Sequence, residues 1–340
     1  MRVGIAGYGV VGKTRHLSIE KNTTFQVTAV SEKNNEVRKS ISSNISIYDD
    51  YKSLIADSDI DIIFISLPNQ FAAEASILSL QKGLHVFCEK PPAKTLAELE
   101  EVFLVSQQCP SLKLMYGFNH RFHHSVEQAK LIIRGNTLGR LINMRGVYGK
   151  SQMISFNQSD WRTKREESGG GILLDQGIHM LDLMRYLSGE DFSEVFSFID
   201  NAFWNFDVED NAYVLMKSQT GVVAQLHSSA TQWRHLFNLE ITMEKGSLVL
   251  GGFLTGSKSY GEETLTIITA DPENDKGAPR ESISKYNEDV SWDNEIKYFA
   301  ESLEKKSPIE RGSIDDAMEI MRLIEKIYKA DPIWQEKYYK

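Results

Sequence analysis

Residues 3–12 read Val3-Gly4-Ile5-Ala6-Gly7-Tyr8-Gly9-Val10-Val11-Gly12, an apolar run that leads into a GxGxxG loop. In such a loop the first glycine allows a tight turn, the second lets a pyrophosphate approach the backbone, and the third lets a helix pack closely on the strand. The pattern carries weight only between a strand and a helix, and the flanking residues have those characters. The residues predicted to bind a dinucleotide here are Gly7, Gly9, Val10, Val11 and Gly12.

An acidic residue follows this loop at the spacing expected for ribose binding. Glu32 lies 20 residues beyond Gly12, at the end of the second apolar run, where a carboxylate accepts hydrogen bonds from the adenosine ribose hydroxyls. Because a carboxylate there repels a 2′-phosphate, the sequence favours NAD(H) over NADP(H). Lys33 and Ser31 keep NADP(H) open, since an ammonium can pair with a phosphate and a hydroxyl can donate to it. A solvated charged turn is the plainer alternative for Glu32 and Lys33.

The composition is that of an ordinary globular protein. With 38 Lys and Arg against 47 Asp and Glu, the net charge of −9 argues against nucleic acid as the main partner. The 340 residues, 41% of them hydrophobic, are enough for two domains. Two cysteines are too few for a disulfide framework and indicate a reducing compartment. With no 18-residue apolar run and no secretory signal at the start, we expect a cytoplasmic protein without a membrane span.

The first part of the chain alternates short apolar runs with helix-like segments, which predicts a doubly wound α/β domain with a parallel sheet. The predicted strands lie at residues 3–7, 25–30, 61–67, 85–88 and 112–115. Helices are predicted over 71–81 and over 99–105, the second after a capping box of Thr95 and Glu98. The alternation stops near Asn119, so we predict a dinucleotide-binding domain over residues 1–119.

A different pattern begins there and predicts a second domain over residues 120–340. A helix over 126–134 and a strand over 141–148 precede Gly169-Gly170-Gly171, and a largely buried helix is predicted over 172–187. Four strands follow with glycine-bearing turns, as in an antiparallel meander, at residues 211–218, 222–230, 236–243 and 247–250. Residues 271–280 are predicted to form a loop, and residues 293–305 and 314–329 to form helices.

A lysine lies where open α/β sheets bind their ligands. Cys88-Glu89-Lys90-Pro91-Pro92 follows a predicted strand at its carboxyl end. An ammonium near a nicotinamide can hydrogen-bond a substrate hydroxyl or hold a developing alkoxide. The alternative is a surface lysine in a turn stiffened by proline.

A carboxylate and an imidazole lie four residues apart in the run Gly169 to His179. On a helix Asp175 and His179 would share one face and could meet a common ligand. The imidazole can take the proton of an alcohol as a hydride leaves, and the carboxylate can orient the substrate. An ordinary ion pair on a helix surface is the alternative. No third ligand has metal-binding spacing, so no metal site is predicted.

These three motifs together, in this order, resemble the glucose-fructose oxidoreductase, inositol dehydrogenase and rhizopine-catabolism (Gfo/Idh/MocA) family. The resemblance spans nearly the whole chain. It implies a Rossmann domain followed by an α+β domain with a large, mostly antiparallel open sheet, and it allows the C-terminal helices to pack back on the first domain. It also implies a homodimer or homotetramer in which an exposed face of the sheet is covered.

The resemblance implies hydride transfer between NAD(P)(H) and a ring hydroxyl or ketone of a sugar. Lys90 would be the catalytic or substrate-orienting lysine, Asp175 a substrate ligand, and His179 the general acid and base. Shorter matches are the loop Ser66-Leu67-Pro68-Asn69, the crossover Asn119-His120-Arg121-Phe122 and the pair Trp161-Arg162. The implied cofactor contacts are Ser66, Pro68, Asn69, Glu89, Lys90 and Arg162. The implied substrate contacts are Lys90, Asn119, Arg121, Trp161, Asp175 and His179.

Structural alternatives and departures accompany these matches. Trp161 could be a core residue and Arg121 part of an ion pair between domains. Ala72 stands where many members carry a histidine, so any role of that histidine is absent here. Pro92 replaces a commoner aliphatic residue in the lysine turn.

The identity of the substrate is left open by these motifs. Residues 151–165 and the segment Gln232-Trp233-Arg234-His235 could line an anionic or aromatic ligand, with Arg162 and Arg234 on a diphosphate, which favours a nucleotide sugar of polysaccharide or modified-sugar biosynthesis. A free-sugar or cyclitol dehydrogenase would use the same three motifs. A non-catalytic dinucleotide sensor would keep the glycine loop and Glu32 but would not need Lys90 or His179.

Overall fold

The computed structural model describes residues 1–57, 59–151, 160–201, 203–254, 260–271 and 273–339. Within them the chain forms two compact units. Unit 1 comprises Met1–Asn119, Glu166–Gly169 and Trp292–Met321, and unit 2 comprises His120–Arg165, Gly170–Ser291 and Arg322–Lys340. The two units are each made of several chain segments, which alternate between the units after residue 165. The predicted domains, 1–119 and 120–340, are single continuous segments, and their limits stay a prediction.

Unit 1 is built on a parallel sheet of six strands in the order β3-β2-β1-β4-β5-β6. These strands are β1 (Arg2–Ala6), β2 (Gln26–Ser31), β3 (Ser46–Tyr48), β4 (Ile62–Ile65), β5 (His85–Glu89) and β6 (Leu114–Gly117). The helices between them are α1 (Val10–Asn22), α2 (Asn35–Arg38), α3 (Tyr51–Asp57), α4 (Asn69–Lys82) and α5 (Leu96–Gln108). The strand order reverses between β1 and β4, and ligands of such sheets bind at the carboxyl ends of the strands at that point.

The predicted doubly wound fold is confirmed, and each of its five predicted strands is present. The predicted capping box is present in part: the Thr95 side chain accepts the Glu98 N–H at 3.2 Å, while the Glu98 carboxylate accepts the N–H of Lys94 at 3.0 Å. The sequence did not predict β3, because its three residues are largely exposed and form no apolar run.

Unit 2 is built on an eight-stranded sheet in the order β14-β13-β12-β11-β7-β10-β9-β8. These strands are β7 (Leu141–Gly149), β8 (Phe192–Asp200), β9 (Asn211–Ser218), β10 (Val223–Ser229), β11 (Leu236–Met243), β12 (Gly246–Gly251), β13 (Glu263–Thr269) and β14 (Arg280–Tyr286). All neighbours pair antiparallel except β7 and β10, which are parallel. The predicted large and mostly antiparallel sheet is confirmed.

The prediction of one continuous meander is wrong at a single point. Strand β7 lies between β10 and β11, so the connection over residues 230–235 crosses β7 and does not form a hairpin. The local pattern of strand and turn cannot reveal this, because the inserted strand comes from about 80 residues earlier in the chain.

Helices complete the two units. The remaining helices are α6 (His124–Arg134), α7 (Arg165–Ser168), α8 (Ile178–Ser188), α9 (Ser291–Glu304), α10 (Ile314–Ala330) and α11 (Pro332–Tyr338), with short 3-10 turns at Asn119–Phe122 and Asp160–Thr163. The helix predicted over 172–187 begins with a π-helical turn, Leu173–Gly177, in which the N–H of Ile178 bonds the carbonyl of Leu173. Asp175 therefore lies in a wider turn than that of a regular α-helix, whereas His179 lies in α8. That the two side chains share one helix face stays a prediction.

Candidate functional site

The glycine loop joins β1 to α1. Gly7 has φ at +87°, in the left-handed region that favours glycine. A Cβ built on Gly12 would lie 2.1 Å from the carbonyl oxygen of Gly7, so only glycine lets α1 pack this closely on the strand. A Cβ built on Gly9 would meet no atom within 4 Å. The backbone of Gly9 thus borders open space at the start of α1, a geometry that fits a pyrophosphate.

Glu32 and Lys33 directly follow β2. The Glu32 carboxylate accepts the N–H of Asn34 at 2.8 Å and is half-buried, while Lys33 is exposed. Ser31 is buried, and its Oγ accepts the N–H of Gly7 at 3.3 Å, which ties the glycine loop to β2. The roles of Glu32 and Lys33 in cofactor binding stay predictions.

The carboxylate that precedes the lysine turn lies in a buried ionic cluster. Glu89 accepts a hydrogen bond from Nε of Arg15 at 2.5 Å, and Glu295 lies 2.7 Å from Nη1 of the same guanidinium. Arg15 is fully buried between Phe87 and Trp292, with 4.6 and 4.2 Å between its Cζ and their ring centroids. Sequence reasoning missed Arg15. Glu89 is held by Arg15. Its predicted contact with the cofactor stays a prediction.

The predicted cofactor loop leads from β4 into α4. The Ser66 N–H donates to Ala6 at 2.8 Å, and within the described residues its buried Oγ has no hydrogen-bond partner. Such an orphaned hydroxyl beside the carboxyl ends of β1 and β4 fits the presence of a polar ligand. Pro68 caps α4, and Asn69 is buried with its amide donating to the Ser168 carbonyl at 2.7 Å. Cofactor binding by these residues stays a prediction.

Unit 2 gathers polar side chains around Asp175. The Lys150 ammonium lies 3.0 Å from the Asp175 carboxylate, and both side chains remain partly accessible. Next to Asp175, Gln176 donates from Nε2 to the hydroxyl of Tyr260 at 2.7 Å. Burial raises the pKa of Tyr260 to about 12, so the hydroxyl stays protonated at neutral pH. Sequence reasoning missed Lys150 and Tyr260, because neither belongs to a motif.

His179 is buried against a second histidine. Its ring stacks on that of His120, with 3.7 Å between centroids and 9° between planes. Nε2 of His120 lies 3.0 Å from the hydroxyl of Tyr148. Burial raises the pKa of Tyr148 well above its usual value. Phe253 meets the edge of His120 at 4.8 Å. The rotation of the His120 ring is thus fixed on several sides, and it presents a flat surface to His179.

Arg121 lies in a buried ion pair in unit 2. It donates to the two carboxylate oxygens of Asp182 at 2.8 and 2.6 Å, and its Cζ lies 4.8 Å from the centroid of Tyr186. This geometry gives Arg121 a structural role. Asp182 also lies beyond residue 119, so this pair lies within the second predicted domain. An ion pair of Arg121 between the predicted domains stays a prediction. Binding of substrate by Arg121 stays a prediction.

The remaining residues that were predicted to contact the cofactor or the substrate lie in other segments of the chain. Asn119 begins the first 3-10 turn and is buried. Trp161 and Arg162 are half-buried in the second, with 4.3 Å between the Arg162 Cζ and the indole centroid. In the segment 232–235, Trp233 and Arg234 are exposed. Of the predicted stretch 151–165, residues 152–159 lie outside the described residues.

Lys90 belongs to unit 1, and Asp175 and His179 belong to unit 2. Lys90 is joined to Pro91 by a cis peptide bond.

In the part of the chain that the structure describes, no three His, Cys, Asp or Glu residues are grouped so as to hold a metal ion. None of the described helices is both long enough and apolar enough to cross a membrane.

Comparison with known protein families identifies the family of this chain. Residues 1–117 match the oxidoreductase family with an NAD-binding Rossmann fold, and residues 126–249 match the GFO/IDH/MocA C-terminal domain. The chain belongs to the Gfo/Idh/MocA family. The resemblance drawn from the three motifs is therefore confirmed, as is a Rossmann domain of the NAD-binding kind.

Relatives within the Gfo/Idh/MocA family are distant in sequence. The 1,5-anhydro-D-fructose reductase of Ensifer adhaerens is 28% identical over 217 residues, which are 63% of this chain and 63% of that protein. The myo-inositol 2-dehydrogenase of Thermotoga maritima is 22% identical over 331 residues, 94% of this chain and 93% of that protein. Matches to the first curated relatives span 63%, 52% and 54% of their own lengths.

One solved structure resembles this chain over almost its whole length. Levoglucosan dehydrogenase in complex with NADH superposes with a TM-score of 0.86, covering 98% of this chain and 97% of that one at 22% identity. At this identity the likeness shows the fold alone.

Proposed function

We propose that the chain transfers a hydride between NAD(H) and a ring hydroxyl or ketone of an uncharged sugar or cyclitol. The observation that carries this proposal is the polar cluster of Lys150, Asp175, Gln176, Tyr260 and the adjacent stacked His179 in unit 2. Carboxylate, amide, ammonium and phenol groups together provide donors and acceptors for several hydroxyls at once. The glycine loop, Glu32 and the orphaned hydroxyl of Ser66 support NAD(H) binding in unit 1.

Each residue of the proposed reaction has one task. Bound NAD(H) supplies the site that accepts or gives the hydride. In the oxidative direction, His179 accepts the proton of the reacting hydroxyl as the carbon loses its hydride and becomes a carbonyl. Lys90 stabilises the negative charge that develops on that oxygen. Asp175 accepts a hydrogen bond from a hydroxyl of the substrate, and Lys150, 3.0 Å away, holds its carboxylate in place.

The charge of the cluster favours an uncharged substrate. Lys150 is already paired with Asp175 at 3.0 Å, so this pair offers little net positive charge to a diphosphate. The names of the two compared relatives, an anhydrofructose reductase and a myo-inositol dehydrogenase, also refer to free sugars and cyclitols. These observations support the free-sugar alternative of the sequence analysis.

A nucleotide sugar is the second candidate. Trp233 and Arg234 are exposed on the segment that also carries His235, and Nε2 of His235 lies 3.1 Å from the hydroxyl of Ser151, next to Lys150. An exposed indole and guanidinium suit a base and a diphosphate. Arg234→Ala separates the candidates: it would raise KM for a nucleotide sugar and leave KM for a free sugar unchanged.

Turnover with matched panels of free sugars, cyclitols and nucleotide sugars tests the proposal. The absorbance of the reduced nicotinamide is followed with NAD(H) and NADP(H) separately. We expect Lys90→Met and His179→Ala each to lower kcat by about 100-fold or more. Lys39→Met and His124→Ala are the matched controls, since both residues are exposed. Near-normal turnover of the first two variants would overturn the assignment, and cofactor binding without turnover of any compound would favour the dinucleotide sensor.

We also propose that the chain is a homo-oligomer formed through one face of the unit 2 sheet. Large apolar side chains on β8 and β9 are exposed there, and they pair across the two strands as Phe196 with Leu215 and Phe198 with Tyr213. An exposed apolar patch of this kind usually marks an interface. The predicted cytoplasmic location stays a prediction.

A further inference from the structure

A buried carboxylate holds the segment that leads into Asp175 and His179. Glu209 lies between β8 and β9 and is fully buried. Its Oε2 accepts the N–H of Gly171 at 2.8 Å, and its Oε1 accepts the N–H of Leu173 at 3.0 Å. Its backbone carbonyl accepts the N–H of Ile172 at 3.1 Å. One residue thus binds three successive amides.

These three amides lie where a helix leaves its donors unsatisfied. The helical hydrogen bonds begin with the N–H of Asp175, which donates to the Gly171 carbonyl at 2.9 Å. Amides in the first turn have no acceptor within their own helix, so another group must supply one. Glu209 supplies that acceptor. The last amide it binds, that of Leu173, belongs to the first residue of the π-helical turn that contains Asp175.

Two of the three glycines, Gly170 and Gly171, are explained by the same contacts. A Cβ on Gly171 would lie 2.1 Å from the carbonyl oxygen of Glu209. A Cβ on Gly170 would lie 2.2 Å from the hydroxyl of Tyr328, which itself donates to Oε1 of Glu209 at 2.8 Å. Only glycine lets this segment approach the carboxylate and the phenol so closely. The run from Gly170 to Leu173 is therefore shaped by Glu209 and Tyr328.

Burying the Glu209 carboxylate costs free energy, and its hydrogen-bond donors offset part of that cost. Burial raises the pKa of Glu209, while the Tyr328 hydroxyl, the Gly171 N–H and the charge of Arg165 act in the opposite direction. Arg165 lies with its Cζ 5.3 Å from the Tyr328 centroid and donates to the hydroxyl of Tyr339 at 3.0 Å. A glutamine at this position would keep one acceptor and turn an N–H₂ group towards a backbone N–H.

We propose that Glu209 is a positioning residue for the reaction, acting through Asp175 and His179. It fixes the start of the π-helical turn and thereby the placement of both side chains, without touching substrate or cofactor. The catalytic consequence rests on the proposed function. The anchoring of residues 171–179 does not, and it is measurable without any substrate.

The test compares Glu209→Gln with Asp331→Asn. Asp331 is the matched control, because it is also buried and its two oxygens also accept backbone N–H groups, from Trp334 at 2.8 Å and Ile199 at 2.9 Å. Hydrogen exchange followed by mass spectrometry is expected to show faster exchange over residues 171–179 in Glu209→Gln and unchanged exchange there in Asp331→Asn. Turnover is expected to fall by about 10- to 100-fold in Glu209→Gln, in kcat and with the dissociation constant of NADH unchanged.

A second comparison separates positioning from general damage. If Glu209 acts through His179, Glu209→Gln adds little further loss when His179 is already alanine. Tyr328→Phe removes one donor and keeps the fold, so it is expected to give a smaller change in the same exchange region. Unaltered exchange over 171–179 in both Glu209→Gln and Tyr328→Phe would overturn the proposal, as would equal kcat losses in Glu209→Gln and Asp331→Asn. If the wild type turns over no sugar, the proposed function fails while the exchange measurement still decides the anchoring.

Discussion

Arg15 is a guanidinium buried between two aromatic rings and two carboxylates. Replacing it by methionine would leave Glu89 and Glu295 buried without their common counter-ion. Removing one partner of a buried ionic cluster typically costs about 3–5 kcal/mol, and we expect a loss of this size in the free energy of unfolding measured with urea. Arg38→Met is the control, since the Arg38 pair with Asp49 at 2.5 Å is largely solvated on the carboxylate side and exposed pairs contribute about 0–1 kcal/mol. Equal losses in the two variants would contradict this account.

Glu32 is expected to set the preference for NADH. Its half-buried carboxylate follows β2, and an ionised acceptor in a hydrogen bond contributes about 1.5–3 kcal/mol. We therefore expect Glu32→Gln to weaken NADH binding by about 10- to 100-fold and to weaken NADPH binding less, because the charge that repels a 2′-phosphate is removed. Isothermal calorimetry with both cofactors measures this. Glu36→Gln, at an exposed position, is expected to bind both as the wild type does.

Single residues were predictable where the signal is local. The glycine loop and the run from Gly169 to His179 are short patterns. The first lies on the predicted turn between β1 and α1, and the second leads into the predicted helix. Arg15, Lys150 and Glu209 were not predictable, because each takes its meaning from a partner distant in sequence: Arg15 from Glu89, Lys150 from Asp175, and Glu209 from Gly171. Only the fold brings those partners together.

At the scale of elements, the turn from β1 to α1 yields a matched pair of substitutions. A Cβ on Gly12 would lie 2.1 Å from the Gly7 carbonyl, whereas one on Gly9 meets nothing within 4 Å. We expect Gly12→Ala to destabilise unit 1 strongly, and Gly9→Ala to leave the melting temperature unchanged while weakening NADH binding, because the methyl group occupies the space for the pyrophosphate. Thermal unfolding and calorimetry measure the two effects. Normal NADH affinity in Gly9→Ala would contradict the placement of the pyrophosphate.

Strands with a regular apolar pattern were predicted well, whereas the largely exposed strands β3 and β14 were not. The strands β1, β4 and β5 contain short runs of buried residues, at 3–6, 62–65 and 86–88, which are typical of a parallel sheet. In contrast, β14 is exposed along almost its whole length and has no alternation to detect. The place of β7 between β10 and β11 is also a property of the sheet as a whole and of no single segment.

At the scale of the whole molecule, the outer face of β8 and β9 makes the oligomeric state testable. β8 is an edge strand of its sheet, and Phe198 on it is 77% exposed beside Tyr213. Edge strands with exposed apolar side chains require protection, and a second copy of the chain would supply it. We expect light scattering to give a dimer or tetramer for the wild type and a smaller species for Phe198→Asp, because a carboxylate cannot be buried there without a partner. Leu104→Asp is the control, since Leu104 is similarly exposed on α5 of unit 1, and its mass should equal that of the wild type. A monomeric wild type would refute the proposed interface, and the exposed rings on β8 would then need another explanation.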